Sequence, residues 1–199
     1  IEEDPHETKN LANDIVYNDV LISLREDLNY HLMSINDLSF LPEPYFLKNG
    51  IDDVVEYSAQ NKTLIKKLIE TSNLQLKNYD EVSSQIKKAL DHDNPWVRYW
   101  GLIVCSSFGS KAMENKDKIK VIFENDSENL VRMRAAEFML LNDIELSDSK
   151  INSLLKRSNF EAEANLMLNT LANIKTINPK YKLNLDKNCL LYTSPSPRD

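Results

Sequence analysis

A pattern of apolar residues recurs along this chain at an interval too long for one helix and right for two. Val97-Arg98 maps onto Val131-Arg132, 34 positions on, and Ile86 maps onto Ile119. In the first copy Val82, Ile86, Ala89 and Leu90 share one helical face, and Asp91-His92-Asp93 makes a turn. Asn94-Pro95 then opens a second helix with a capping side chain and a proline at its first position. That helix carries Val97, Trp100, Gly101, Val104 and Phe108, and Gly109 is placed to end it. The second copy has Ile119, Ile122 and Phe123, a turn at Asn125-Asp126-Ser127, then Val131, Ala135, Ala136, Met139 and Leu140. A weaker third copy runs Ile151, Leu154 and Leu155, a turn at Ser158-Asn159, then Ala164, Leu166, Leu168 and Leu171.

Paired helices repeating at this interval predict an α-solenoid of HEAT type. One pair cannot bury its apolar face alone, so neighbours must stack into a shared core. The residues ahead of the repeats are also helical in period. Val20, Leu21, Leu24, Leu28, Leu32 and Ile35 form one stripe, with Asn13 or Asp14 available as cap. Residues 38–50 are irregular: Pro42 and Pro44 interrupt them, and Phe40, Leu41, Tyr45 and Phe46 supply apolar anchors for packing on something else. Short helices are expected over residues 51–59 and 62–71, where Leu64, Ile65, Leu68 and Ile69 share a face. Only 3 glycines and almost no β-branched alternation leave little room for strands. The expected fold is all-α: a short extended N-terminal segment, then helices leading into a HEAT-like α-solenoid of two to three pairs.

Charge and composition narrow the partners. A net charge of −7 argues against nucleic acid or an anionic membrane, both of which need a basic face. No apolar run approaches the ~20 residues of a membrane span. Residues 189–199, Cys-Leu-Leu-Tyr-Thr-Ser-Pro-Ser-Pro-Arg-Asp, read as a translated sequencing adapter and are set aside from fold reasoning. Arg198 and Asp199 cancel, so the net charge of the remainder is unchanged. Cys105, within an apolar run, reads as a buried small hydrophobe and forms no internal disulfide.

No residue is assigned a catalytic, cofactor-binding or metal-binding role. Trp96, Tyr99 and Trp100 suggest sugar stacking, but their spacing suits a helix face packed on its neighbours. Arg98 and Arg132 suggest an anion site. One repeat apart, they are better placed to bond acidic turn residues such as Asp93 or Asp126, a ladder along the solenoid. His6 lies beside Asp4 and Glu7, but neighbours in an extended segment do not converge on a metal. His31 and His92 are isolated, and Lys66-Lys67 and Lys87-Lys88 read as solvated faces.

Asp4-Pro5-His6-Glu7-Thr8-Lys9-Asn10-Leu11-Ala12 resembles the end of the catalytic domain in formylglycine-dependent sulfatases. There a final strand reads roughly Leu-Tyr-Asp-Leu, then after two variable residues Asp-Pro-x-Glu-x-x-Asn-Leu-Ala. Ile1-Glu2-Glu3 fits the tail of that strand, and the helix near Val16 matches the helix that follows it. Heparan N-sulfatase-like and arylsulfatase-like bacterial proteins continue with Asp-Leu-Gly-Phe-Leu-Pro-Glu and repeats containing Val-Arg-Tyr-Trp. Asp37-Leu38-Ser39-Phe40-Leu41-Pro42-Glu43 and Val97-Arg98-Tyr99-Trp100-Gly101-Leu102 are similar to those features, in the same order.

The resemblance implies a parent that hydrolyses sulfate esters or N-sulfates with formylglycine and Ca²⁺, in the periplasm or outside the cell. The formylglycine motif Cys/Ser-x-Pro-x-Arg is expected upstream of Ile1, since Cys105 is followed by Ser-Ser-Phe and Cys189 lies in the adapter-like tail. On this reading residues 1–14 end the catalytic domain and residues 15–79 connect. Residues 80–178 hold the repeats, and 179–188 begin a truncated continuation. The expected partners are the upstream catalytic domain of the same chain and, as a further option, a second copy of the protein. The competing reading is a HEAT-repeat adaptor that binds other proteins; an independent enzyme is the weakest alternative.

Overall fold

The computed structural model describes residues 4–6, 8–158, 160–182 and 184–186. Ile1-Glu2-Glu3, Glu7, Asn159 and the adapter-like tail lie outside the described residues. The fold is all-α, and no strand occurs among the described residues. Helix α1 spans Asn18–Ser34, α2 Glu43–Asn49, α3 Val54–Gln60 and α4 Lys62–Ser72. They are followed by α5 (Tyr79–Leu90), α6 (Pro95–Phe108), α7 (Lys116–Asn125), α8 (Asn129–Leu141), α9 (Asp148–Lys156) and α10 (Glu161–Ile177).

The sequence signals mark the boundaries of α6 as expected. The Asn94 carboxamide accepts the Trp96 amide at 2.9 Å, and Pro95 occupies the first helical position, where no N–H is needed. At the other end Gly109 adopts φ 56°, ψ −126°, and its N–H bonds the Cys105 carbonyl.

Packing orders the helices into two rows. In one row α4 lies against α6, α6 against α8 and α8 against α10; in the other α5 packs on α6, while α7 and α9 pack on α8. The recurring sequence positions are the buried ones. Ile86, Ile119 and Ile151 are fully buried, as are Val97 and Val131. Fully burying a side chain of this size contributes roughly 1.5–3 kcal/mol. Helices α5 and α6 approach closely where Gly101 meets Ala89: a Cβ on Gly101 would lie 3.1 Å from the Ala89 Cβ. Helix α4, which the sequence places in a connecting segment, extends the same row by packing on α6.

One expectation needs correction. Residues 38–50 pack on the chain's own α6. Leu41 is 3% exposed, the Phe40 and Trp100 rings lie 5.4 Å apart, and those of Tyr45 and Trp96 4.6 Å apart. The indole N–H of Trp100 completes this attachment by donating to the Phe40 carbonyl at 2.7 Å. Asn184 and Asp186 lie against α9. The Asp186 amide donates to Asn152 Oδ1 and the Asn152 amide group to the Asn184 carbonyl, while Tyr181 and Leu185 pack on the core. On α10, Leu171 is buried, and Leu166 and Leu168 are half-buried. Along the α1 stripe Leu21 and Leu32 are half-buried where α1 packs on α4, while no residue of α1 is fully buried and Val20, Leu24 and Leu28 are 55%, 62% and 55% exposed.

Candidate functional site

The aromatic run on α6 is structural. Trp96 and Tyr99 are buried, and the Tyr99 hydroxyl accepts a hydrogen bond from Arg134 Nη2 at 2.8 Å. Arg134 also stacks over the Tyr99 ring at 5.0 Å and pairs with Glu137 at 2.9 Å, so its charge is satisfied inside the fold. The Tyr45 ring packs on Trp96 and the Phe40 ring on Trp100, so each indole already has an aromatic partner within the chain.

Arg98 forms one rung of the anticipated ladder. Its Nε and Nη2 donate to the two Asp126 oxygens at 2.7 and 2.9 Å, and its Nη1 donates to the carbonyls of His92 and Asp93. Asp126 in turn accepts the Glu128 amide at the start of α8. Arg132 makes no second rung. It donates Nε to the Phe123 carbonyl at 2.6 Å, and its guanidinium lies over the Phe123 ring. The reason is in the sequence: the turn that would face Arg132 reads Ser158-Asn159 and supplies no carboxylate.

Two further polar groups have environments opposed to nucleophilic or basic chemistry. Burial pushes the Cys105 thiol up to about 12, so the thiolate is scarce at neutral pH. Burial, reinforced by the Glu114 carboxylate, raises the Tyr79 phenol above its ordinary value. Tyr79 donates to Glu114 at 2.7 Å and accepts from buried Asn115 at 3.0 Å, while Lys87 holds the other Glu114 oxygen at 2.8 Å. This network joins α5 to the 3-10 turn before α7, and no sequence pattern signals it because its members are 27 to 36 residues apart.

The N-terminal motif forms a turn. The Asp4 carboxylate accepts the Lys9 amide at 2.7 Å and the Thr8 hydroxyl at 3.1 Å; these bonds, the Lys9 amide foremost, hold its carboxyl below the usual range. Asn10 Oδ1 accepts the Ala12 amide, and Asp14 caps the 3-10 turn that leads into α1. His6 belongs to no cluster of potential metal ligands among the described residues; His31 and His92 likewise stand apart from any such cluster.

What stands out functionally is the surface that follows this motif. Val20, Leu24, Leu28 and Ile35 of the helical stripe are more than half exposed, as are Tyr30 and, in the 3-10 turn ahead of α1, Ile15 and Val16. Exposed apolar residues gathered on one helix and the turn before it are a candidate interaction face. Among the described residues no helix is long and apolar enough to cross a membrane. In comparisons with known proteins the chain matches no family model, no curated protein and no solved structure.

Proposed function

We propose that this chain is the non-catalytic C-terminal part of a sulfatase polypeptide, a short HEAT-type solenoid that docks on the catalytic domain through α1. The observation that carries the reading is the pairing of the Asp4–Ala12 motif with the exposed apolar face of α1 directly after it. In the resembling sulfatases that motif ends the catalytic domain, so the helix following it is the one that domain would cover. The two rows of helices and the recurrent buried positions support the solenoid. The parent enzyme would hydrolyse sulfate esters or N-sulfates in the periplasm or outside the cell, with formylglycine and Ca²⁺ held by the catalytic domain.

Sequencing the genomic locus upstream of the codon for Ile1 tests this directly. The expected result is an in-frame Cys/Ser-x-Pro-x-Arg several hundred codons before Asp4. An open reading frame that begins close to Ile1, or one whose upstream domain lacks that motif, overturns the proposal and favours the protein-binding adaptor.

A further inference from the structure

A groove of about 480 Å³ runs between α4 and α5, floored by Leu74 and Ala89. It collects positive charge on a chain whose net charge is −7. Lys67 on α4, Lys77 after the 3-10 turn and Lys88 on α5 all line it, against one lining carboxylate, Glu70. Neighbouring lysines are used differently. Lys87 pairs with Glu114, Lys118 with Asp91 and Lys150 with Glu124, each joining successive helical pairs. Lys67 reaches Glu70 only at 3.9 Å, while Lys77 and Lys88 have no carboxylate within ion-pair distance among the described residues.

The neutral groups around these ammoniums are hydrogen-bonding groups with capacity left over. Asn73 donates to Asn29 Oδ1 at 2.8 Å, which leaves the Asn29 NH₂ as a donor and the Asn73 carbonyl oxygen as an acceptor. His92 accepts the Asn94 amide at Nδ1 at 3.0 Å, so in the neutral ring the proton sits on Nε2 and is available to donate. Gln85 adds a further amide at the rim.

The geometry points to a binding site for a small oxyanion carried on a hydroxylated scaffold, such as a sugar phosphate or a sugar sulfate. The ammoniums take the oxyanion, and the amides with Glu70 take hydroxyl groups. The volume falls within the range of small-ligand sites, and the apolar floor suits the non-polar face of a sugar ring. Asn29 brings α1 to one edge of the groove, but Val20, Leu24 and Leu28 of the docking face do not line it, and its occupancy does not depend on the sulfatase reading.

The test is calorimetric titration of the full chain with glucose 6-phosphate, glucose 6-sulfate, glucose, inorganic phosphate and inorganic sulfate, at low and at physiological salt. A charged sugar is expected to bind more tightly than glucose or either inorganic ion, and to weaken as salt rises. The double variant Lys67→Glu/Lys88→Glu should weaken it by about tenfold or more, since two exposed charges are reversed. Lys120→Glu, on exposed α7 surface outside the groove, should leave binding unchanged. The ratio between the phosphate and sulfate esters identifies the natural oxyanion. Glucose binding as tightly as its esters, inorganic ions doing so, equal weakening by Lys120→Glu, or no heat at millimolar ligand each overturns the proposal. Circular dichroism of both variants verifies that they fold.

Discussion

Arg98 and Asp126, 28 residues apart, meet in a two-pronged ion pair that ties the α5–α6 turn to the α7–α8 turn. Their side chains are only 16% and 3% exposed, so the pair is shielded from solvent and salt far more than a surface bridge. Asp126→Ala leaves the guanidinium without its counter-charge, and also removes the acceptor for the Glu128 amide. The expected loss is about 3 kcal/mol, at the lower end of the range for breaking a buried pair. Arg132→Ala, which removes a neutral-acceptor bond and a ring contact, should lose only about 1–2 kcal/mol. Urea unfolding of the two variants measures the difference, and an Asp126→Ala variant within 0.5 kcal/mol of wild type, about the scatter for neutral surface changes, would refute the assignment.

The close approach of α5 and α6 gives a second test. A methyl group on Gly101 would meet the Ala89 Cβ at 3.1 Å and the Leu90 side chain at 3.4 Å. Alanine is intrinsically better than glycine inside a helix by about 1 kcal/mol, so propensity alone predicts a gain. Overpacking of this kind costs about 1–3 kcal/mol and should win. Gly101→Ala is therefore expected to lower the melting temperature, and Ala89→Gly in the same chain should recover part of the loss. A higher melting temperature for the single variant would show that the helices separate freely.

The sequence carried the periodic part of this architecture and missed the parts made by contacts distant along the chain. Ile86, Ile119 and Ile151 announce themselves because each sits at the same place in a helical stripe, and all are fully buried. The Asn94-Pro95 start and the Gly109 stop depend on local backbone chemistry and so were equally legible. Phe40 and Trp100 are 60 residues apart, and nothing local marks them as partners. The same holds for the α4–α5 groove, where Lys67 and Lys88 read separately as solvated faces and acquire a common environment only through folding. On α1 the stripe is genuine but periodicity cannot say whether a partner covers it within the same chain.

Cys105 gives a prediction in pH. Burial raises its folded-state thiol to about 12, against about 8.5 for an unperturbed thiol. Between those values the unfolded chain releases a proton that the folded chain keeps. The Cys105 contribution is therefore complete below about pH 8.5 and declines as pH rises toward 12, with a limiting slope near 1.4 kcal/mol per pH unit. Cys105→Ala removes this dependence while adding a pH-independent loss from the lost packing. The difference in unfolding free energy between wild type and variant should shrink as pH is raised from 8 to 10, within the window set by these two thiol values. A constant difference would mean that the thiol is open to solvent in the folded protein.

The exposed face of α1 makes the last prediction. Val20, Leu24 and Leu28 are each more than half exposed, so the fold gains little from them, while their combined surface favours association. Replacing all three with glutamine should leave the unfolding free energy of the isolated chain within about 1 kcal/mol of wild type, as for surface positions elsewhere. The wild-type chain should sediment as a self-associating species at tens of micromolar, and the triple variant as a monomer. In a chain that includes the proposed catalytic domain the sign of the effect reverses. There the same substitutions should lower the melting temperature, because the side chains are then covered and each contributes roughly 1.5–3 kcal/mol. A monomeric wild-type chain, together with no stability difference in the longer protein, would leave α1 without a partner and would sink the docking role assigned to it.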